Sequence, residues 1–376
     1  MIPRSAYIHV PFCAHRCGYC DFTLIAGRDD LIGDYLQALR LEIDRSDWNE
    51  LPVSLDTLFF GGGTPTHLPG PSFQQLMGIL NSRFRLNGAA EFSVEANPLD
   101  LTDAKIDLLA DCGVNRISLG VQSFSPQALR LLERDHSPQD IRDVVTRLRP
   151  RFQNVSLDLI FGVPGQTLEN WQETLRQAID LEPRHISTYD LTWESGTAFN
   201  TRRERGELFA IDEELEREQY SLAMELLQGA GFIQYEISNF ARPGYECRHN
   251  EAYWAGDEYF AFGPGAARYV NGRRETNIRS VLGWLNRIEK GFSSVADAEE
   301  LEPEHRSREL IFLGLRRIRG IDRHEFRQKS GFDLTQIASV AIKANVDRGW
   351  LEETESGIRL TKDGRFVADR VIEDFL

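Results

Sequence analysis

Nothing in the chain approaches the roughly 18 to 20 consecutive apolar residues that a spanning helix requires, and Met1-Ile2-Pro3-Arg4 leads almost directly into a strand-like segment without the apolar core of a signal peptide. The expected location is therefore the cytoplasm. Basic residues are in deficit as well: 43 Lys and Arg stand against 58 Asp and Glu, a formal net charge of -15. A protein built to coat nucleic acid needs the opposite balance, because neutralising phosphates takes a surplus of Lys and Arg. The same charge disfavours adsorption on anionic lipid, so contact with a membrane is expected only through a membrane-bound partner. Cysteine is scarce: five residues, an odd number, make a poor disulfide framework. What is present is an ordinary globular composition, 41% hydrophobic, in a chain of 376 residues that can fill one large domain and a smaller one.

Short apolar, β-rich runs alternate with longer amphipathic stretches up to about residue 240. Strands are expected at Ala6-Val10, Thr57-Phe60, Glu91-Glu95, Arg116-Leu119, Val155-Phe161 and His185-Leu191. Helices are expected after Asp30, where Leu31, Tyr35, Leu39 and Ile43 recur at helical spacing, and within Pro71-Phe84, Thr102-Cys112, Pro126-Arg134, Pro138-Leu148 and Thr167-Asp180. Strands linked by helices favour a parallel sheet with the ligand site at the strands' carboxyl ends. Periodicity does not distinguish an open sheet from a partial barrel. Residues 241–300, with the stretch HNEAYWAGDEYFAFGPGAARYVNG, read as a connecting region of aromatic and Gly-rich loops. Residues 301–376 read as a smaller domain: helices over Pro303-Arg319, His324-Ser330 and Leu334-Arg348, a hairpin from Trp350-Glu353 and Ile358-Leu360, and a helix from Thr361 to the end. Helices plus a wing suggest a winged-helix-like unit, whose balanced charge favours packing or a lid over DNA binding.

Three of the cysteines crowd into one loop after the first strand: Cys13, Cys17 and Cys20 follow the spacing C-x3-C-x2-C. A structural zinc site closes with four ligands, and a second C-x2-C pair is missing, although His9 or His15 would supply a fourth. A cubane iron–sulfur cluster takes four thiolates, so three leave one iron with an exchangeable position. After the next strand, Gly61-Gly62-Gly63-Thr64-Pro65 lets the backbone approach a small charged ligand. It is neither a P-loop nor G-x-G-x-x-G. The following strands end in Val94-Glu95-Ala96-Asn97-Pro98 and Gly120-Val121-Gln122-Ser123-Phe124, and the fifth carries Asp158; singly each is as well read as a capped turn or a satisfied core carboxylate.

The loop C-A-H-R-C-G-Y-C, with Tyr19 before its last cysteine, resembles the radical S-adenosylmethionine family. "YIHVPFC", "GGGTPT", "VEANP", "GVQSF", "LDLIFGVPGQT" and "QYEISNF" extend the resemblance over nearly the whole chain, to the subgroup that contains oxygen-independent coproporphyrinogen III oxidase and the heme chaperone HemW. It implies an α/β fold, a partial (β/α)6 barrel followed by a family-specific C-terminal domain. It implies a 4Fe–4S cluster on Cys13, Cys17 and Cys20, and S-adenosylmethionine whose cleavage yields a 5′-deoxyadenosyl radical. Tyr7, Gly62, Gly63, Thr64, Glu95, Gln122, Arg134 and Asp158 match the family's S-adenosylmethionine-contacting residues. Arg134 suits a carboxylate; Glu95 and Asp158 suit an ammonium or ribose hydroxyls.

Three features separate the two relatives. The oxidase pattern has a further cysteine two residues after the third, where this chain has Phe22; the oxidase has a substantial extension ahead of its cysteine loop, where six residues precede Tyr7; and His249-Asn250-Glu251-Ala252-Tyr253-Trp254 matches the H-N-x-x-Y-W motif of the HemW group. These argue against coproporphyrinogen decarboxylation and for a heme chaperone, with heme and apo-hemoproteins as partners, membrane-bound respiratory enzymes among them, and a homodimer as a candidate assembly. Neutral imidazole is a common axial ligand of heme iron, and Tyr253 and Trp254 offer flat apolar faces to a porphyrin. The competing reading makes Tyr253 and Trp254 core aromatics and His249 a hydrogen-bonded loop residue. Cys247 is an alternative thiolate or a buried thiol, and Cys112 a packing residue.

Overall fold

The short apolar, β-rich runs become strands, as expected from the sequence. The computed structural model describes residues 2–46 and 52–376. In it β1 (Ser5–Val10), β2 (Val53–Gly62), β3 (Phe84–Ala96), β4 (Arg116–Gln122), β5 (Asn154–Phe161) and β6 (His185–Asp190) pair in parallel, each with the next along the chain. The crossovers carry α1 (Ile32–Asp44), α2 (Gly70–Asn81), α3 (Asp103–Asp111), α4 (Pro126–Leu131) with α5 (Pro138–Leu148), and α6 (Leu168–Asp180). Ser137 and Asp140 form a capping box at the start of α5, as Thr167 and Asn170 do at α6.

A strand order without reversal, joined by crossovers of one hand, puts the helices on one side of the sheet. The pleat sorts side chains accordingly. Ile8, Phe60, Val94, Leu119 and Leu157 are fully buried in the core shared with the helices. Glu95, Ser118, Asp158 and Ser187, on alternate positions, line a cavity instead. After β6 come α7 (Ala198–Glu204) and α8 (Glu213–Gly229), then β7 (Ile233–Gln234) and β8 (Asn239–Ala241), which continue the sheet antiparallel beyond β6. At the opposite edge β9 (Phe260–Phe262) pairs in parallel with β1. The two edges do not pair with each other, so the sheet does not close into a full barrel.

The connecting region corrects the expectation of loops. Its motif forms a helix, α9 (Arg248–Trp254), and it also contains β10 (Ala267–Val270), β11 (Arg273–Asn277) and β12 (Val295–Glu300), which make a separate antiparallel sheet, and α10 (Val281–Glu289). Its glycines punctuate short elements rather than form one loop: Gly256, Gly263, Gly265 and Gly272 sit at positive φ between them. Beyond it, α11 (Pro303–Leu315), β13 (Ile321–Asp322), α12 (Arg323–Ser330), α13 (Leu334–Asp347), β14 (Leu351–Glu353) and β15 (Gly357–Leu360) follow the helix-and-wing order, around a core that includes Ile311, Phe326, Ile358 and Phe375. The expected last helix is two, α14 (Lys362–Phe366) and α15 (Ala368–Glu373), broken at Val367, whose φ of -126° leaves the helical range. The break lets Ala368, Val371 and Ile372 enter the smaller core.

One buried carboxylate ties the connecting region to the barrel. Glu42 on α1 accepts from the Gly263 amide (2.8 Å), Asn277 Nδ2 (2.7 Å), Ser294 Oγ (2.7 Å) and the Trp284 indole (3.4 Å). Burial still pushes its pKa up, because those donors replace only part of the lost hydration. Glu42→Ala strands several buried donors at once, and the expected loss is about 3 kcal/mol or more, read from urea unfolding. A loss below about 1 kcal/mol would show that the region is held by apolar packing instead.

Candidate functional site

The cysteine loop is clamped where β1 and β2 leave the sheet. The Gly63 amide donates to the Val10 carbonyl (2.8 Å) and the Thr64 amide to the Phe12 carbonyl (2.7 Å). Only glycine fits there: a Cβ on Gly63 would lie 2.7 Å from the Phe12 carbonyl oxygen, and one on Gly62, at φ +112°, 2.6 Å from the His9 ring. Farther along, the Gly18 amide donates to Glu133 Oε2 (2.8 Å) and its carbonyl accepts from the Phe199 amide (2.9 Å). Arg16 braces the loop's exit through the Leu24 carbonyl (2.9 Å). Glu133 and Phe199 lie in stretches with no motif, and sequence reasoning did not find them.

Cys13 and Cys17 are buried and Cys20 partly so. All three line a cavity of about 850 Å³ at the carboxyl ends of the strands, a size that takes a cofactor. Cys13 Sγ lies 3.2 Å from Thr64 Oγ1, and Arg134 Nη1 donates to Cys17 Sγ (3.6 Å). Burial pushes the Cys13 thiol up to about 11, against the pull of the Thr64 hydroxyl. Among the described residues no three His, Cys, Asp or Glu side chains converge as ligands of one ion must. A cubane presents a different iron to each thiolate and does not need that convergence. Three thiols free of disulfides, a hydroxyl and a half-buried guanidinium at one cavity wall fit such a cluster.

Gly63, Thr64, Glu95, Gln122, Arg134 and Asp158 line the same cavity. Tyr7 and Gly62 lie behind this wall: Tyr7 Oη is 3.1 Å from His9 Nδ1, and the Gly62 amide donates to Glu95 Oε2 (3.0 Å). Asp158 accepts from Ser118 (2.8 Å), Ser187 (2.7 Å) and Ser156 (3.3 Å). Gln122 holds the left-handed φ of 63°, unusual for a non-glycine residue, at the tip of β4. Arg134 also donates to the Gly120 carbonyl (3.2 Å), and its buried Nε has no partner. Such a wall, with a cation beside the thiols and two carboxyl groups on the same lining, suits a ligand that carries both a carboxylate and cationic groups.

The H-N-x-x-Y-W residues are placed differently. His249 is 1% exposed, with Nδ1 2.8 Å from Thr57 Oγ1 and Nε2 2.8 Å from Tyr253 Oη. Burial lowers its pKa to about 3, so the ring stays neutral and both nitrogens are engaged. His249, Tyr253 and Trp254 do not line the cavity; Asn250 and Cys247 do. The Cys247 thiol, pushed up to about 12 by burial and then by Glu91, donates to Glu91 Oε1 (3.5 Å). Cys112, partly buried, packs against the main core as expected.

Glu95 supplies a pH test. Burial first, and the charge of Asp158 second, push its carboxyl up from 4.5 to about 8. The folded state therefore holds this proton more tightly than the unfolded chain, and the stabilisation is present below about pH 4.5 and lost as pH rises to 8. The melting temperature of cluster-free protein should fall over that window relative to Glu95→Gln, and saturating S-adenosylmethionine should reduce the difference. Parallel profiles for the two proteins would contradict an uncompensated Glu95.

Residues 7–178 match the Radical SAM superfamily and residues 301–367 the HemN C-terminal domain. The chain is 38% identical over 376 residues to the heme chaperone HemW of Bacillus subtilis (strain 168), covering 99% of both chains. It is 33% identical over 381 residues to that of Escherichia coli (strain K12), covering 100% of this chain and 98% of the relative. Among solved structures, coproporphyrinogen III oxidase (HemN) from Escherichia coli, a radical SAM enzyme, superposes with a TM-score of 0.86 over 99% of this chain and 90% of that one, at 23% identity, which speaks to the fold alone. With the cysteine loop, the partial barrel and full-length similarity in agreement, this chain belongs to the radical S-adenosylmethionine superfamily and, within it, to the HemW family.

Proposed function

We propose that this protein is a heme chaperone: it binds heme and passes it to apo-hemoproteins, with a 4Fe–4S cluster and S-adenosylmethionine as cofactors. The observation that carries the reading is full-length similarity to proteins named heme chaperone HemW. It is supported at position 22, where the oxidase pattern has a cysteine: Phe22, 54% exposed, stands at the cavity wall. When bound, the cluster would supply single electrons to S-adenosylmethionine held beside it.

In this reading Cys13, Cys17 and Cys20 are the thiolate ligands, and Thr64 and Arg134 offset their charge. Gly63 and Thr64 leave room for the amino-acid end of S-adenosylmethionine, with Tyr7 and Gly62 fixing the wall behind. Glu95, Gln122 and Asp158 take the ammonium and the hydroxyls. His249, with Tyr253 and Trp254, remains the candidate axial-ligand region; His249 would have to leave Thr57 or Tyr253 to bind iron. No helix among the described residues is long and apolar enough to cross a membrane, so a membrane-bound acceptor, such as a respiratory enzyme, would provide its own anchorage.

The deciding experiment is an anaerobic heme titration of cluster-reconstituted protein, followed by mixing with an apo-hemoprotein. Saturable Soret changes and gain of holo-acceptor are expected, with an altered spectrum in His249→Ala if that ring is the axial ligand. Conversion of coproporphyrinogen III to protoporphyrinogen would overturn the chaperone reading in favour of the oxidase. A separate expectation concerns the cluster: Cys17→Ser should lose bound iron and absorbance near 400 nm, roughly, while keeping cooperative unfolding, because the loop follows β1 rather than forming the core. Loss of folded protein would contradict that separation.

A further inference from the structure

The cavity runs on past the strand tips to a wall supplied by the C-terminal unit, where Arg316, just after α11, and Arg365 and Phe366, on α14, face it. Most arginines of this acidic chain are paired with carboxylates, and these two are held differently. Arg316 Nη1 is 3.8 Å from Asp369 Oδ1, whose side chain is 89% exposed, an ion pair that water screens. Its Nε is buried without a partner. Arg365 Nη1 donates to the neutral amide of Gln234 (3.0 Å), its Nε is also buried without a partner, and among the described residues it has no ion pair. Both guanidiniums lie near the Tyr220 phenol.

Arg316 is aimed by the H-N-x-x-Y-W helix. Its guanidinium carbon sits 4.7 Å over the Trp254 ring, and the Ile237 amide donates to its carbonyl (3.1 Å). The adjacent Arg317 is fixed to Glu251 of the same helix (2.9 Å). The buried carboxyl near Arg316, Glu236, is pushed up to about 7 by burial, so it only partly neutralises Arg316 near neutral pH.

We propose that Arg316 and Arg365 form a carboxylate-binding wall that takes the two propionates of a porphyrin, with Phe366 against its apolar plane, and that Trp254 is a positioning residue acting through Arg316. The proposal rests on the heme reading and adds where the anionic edge of the ligand lies. A planar guanidinium fork matches a carboxylate in two parallel hydrogen bonds, and neither arginine needs to break a buried ion pair to make them.

The test uses full-length, cluster-reconstituted protein and two probes, heme and heme dimethyl ester, whose propionates are blocked. Wild type should bind heme about tenfold or more tightly than the ester, and Arg316→Gln/Arg365→Gln should lose that preference while binding the ester as before. Trp254→Leu should lose part of the preference, and Arg365→Lys should retain part, which separates charge recognition from damage to the fold. Iron content and S-adenosylmethionine affinity should not change in the double variant. An undiminished preference for heme in the double variant overturns the proposal and leaves the heme reading standing; absence of saturable heme binding by wild type overturns both. If the double variant loses S-adenosylmethionine affinity but keeps heme, the arginines serve an amino-acid carboxylate, and the proposal fails.

Discussion

The site depends on how closely the ends of β1 and β2 approach each other. A Cβ added at Gly63 would lie 2.7 Å from the Phe12 carbonyl oxygen, and two amide hydrogen bonds close the gap between the strands. Cys13 is positioned by backbone pairing at that point, and Thr64, one residue past the contact, brings its hydroxyl to the sulfur. The rest of the loop cannot drift, because Gly18 is held through Glu133 after α4 and through Phe199 on α7. A ligand loop on the surface of a sheet is thus fixed from several elements, as a cluster with few thiolates requires.

The cavity is electrically divided. The charge of Asp158 raises the cost of ionising Glu95, and the hydrogen bonds to the two side chains come from hydroxyls and one backbone amide. Arg116, 2% exposed, is a buried cation that favours the ionised form of Asp158, but it also serves Glu91 and the Asn154 side chain. With its carboxyl pushed up to about 8, Glu95 is mostly protonated at neutral pH, and an ammonium or sulfonium entering beside it favours release of that proton. At the far wall Arg316 and Arg365 favour the opposite sign. The layer between strands and helices is mainly aliphatic and aromatic, because the pleat sends alternate residues to alternate faces.

The six parallel strands were legible because each is a short apolar, β-rich run set between longer amphipathic stretches, and the cysteine loop because its spacing has few other uses. Glu133 and Phe199 were not legible: they reach Gly18 across long sequence separations, with no spacing to announce them. The helix α8 was missed although Tyr220, Met224 and Leu227 recur on one face, because its first turns are nearly all charged. The region around residue 250 was misread as loops since glycine-rich punctuation hid elements of only a few residues. Sequence alone also left open whether His249 was a ligand or a hydrogen-bonded residue; the burial of its ring and the partners on both nitrogens became visible only with Thr57 in place.

The motif itself has a simple geometry on α9. His249 and Tyr253 are four residues apart, as are Asn250 and Trp254, so H-N-x-x-Y-W is two stacked pairs on neighbouring faces of one helix. The first pair turns toward the barrel, where His249 stacks on Phe59 at 5.1 Å and bonds Thr57. The second pair faces the other way: Asn250 reaches the cavity and Trp254 lies under Arg316. Glu251 between them pairs with Arg317. The helix therefore couples β2, which leads directly into Gly63 and the cysteine loop, to the arginine-bearing wall of the C-terminal unit. A shift of α9 therefore moves both contacts at once, because the His249 bond to the buried Thr57 and the Trp254 contact with Arg316 are carried by one short helix.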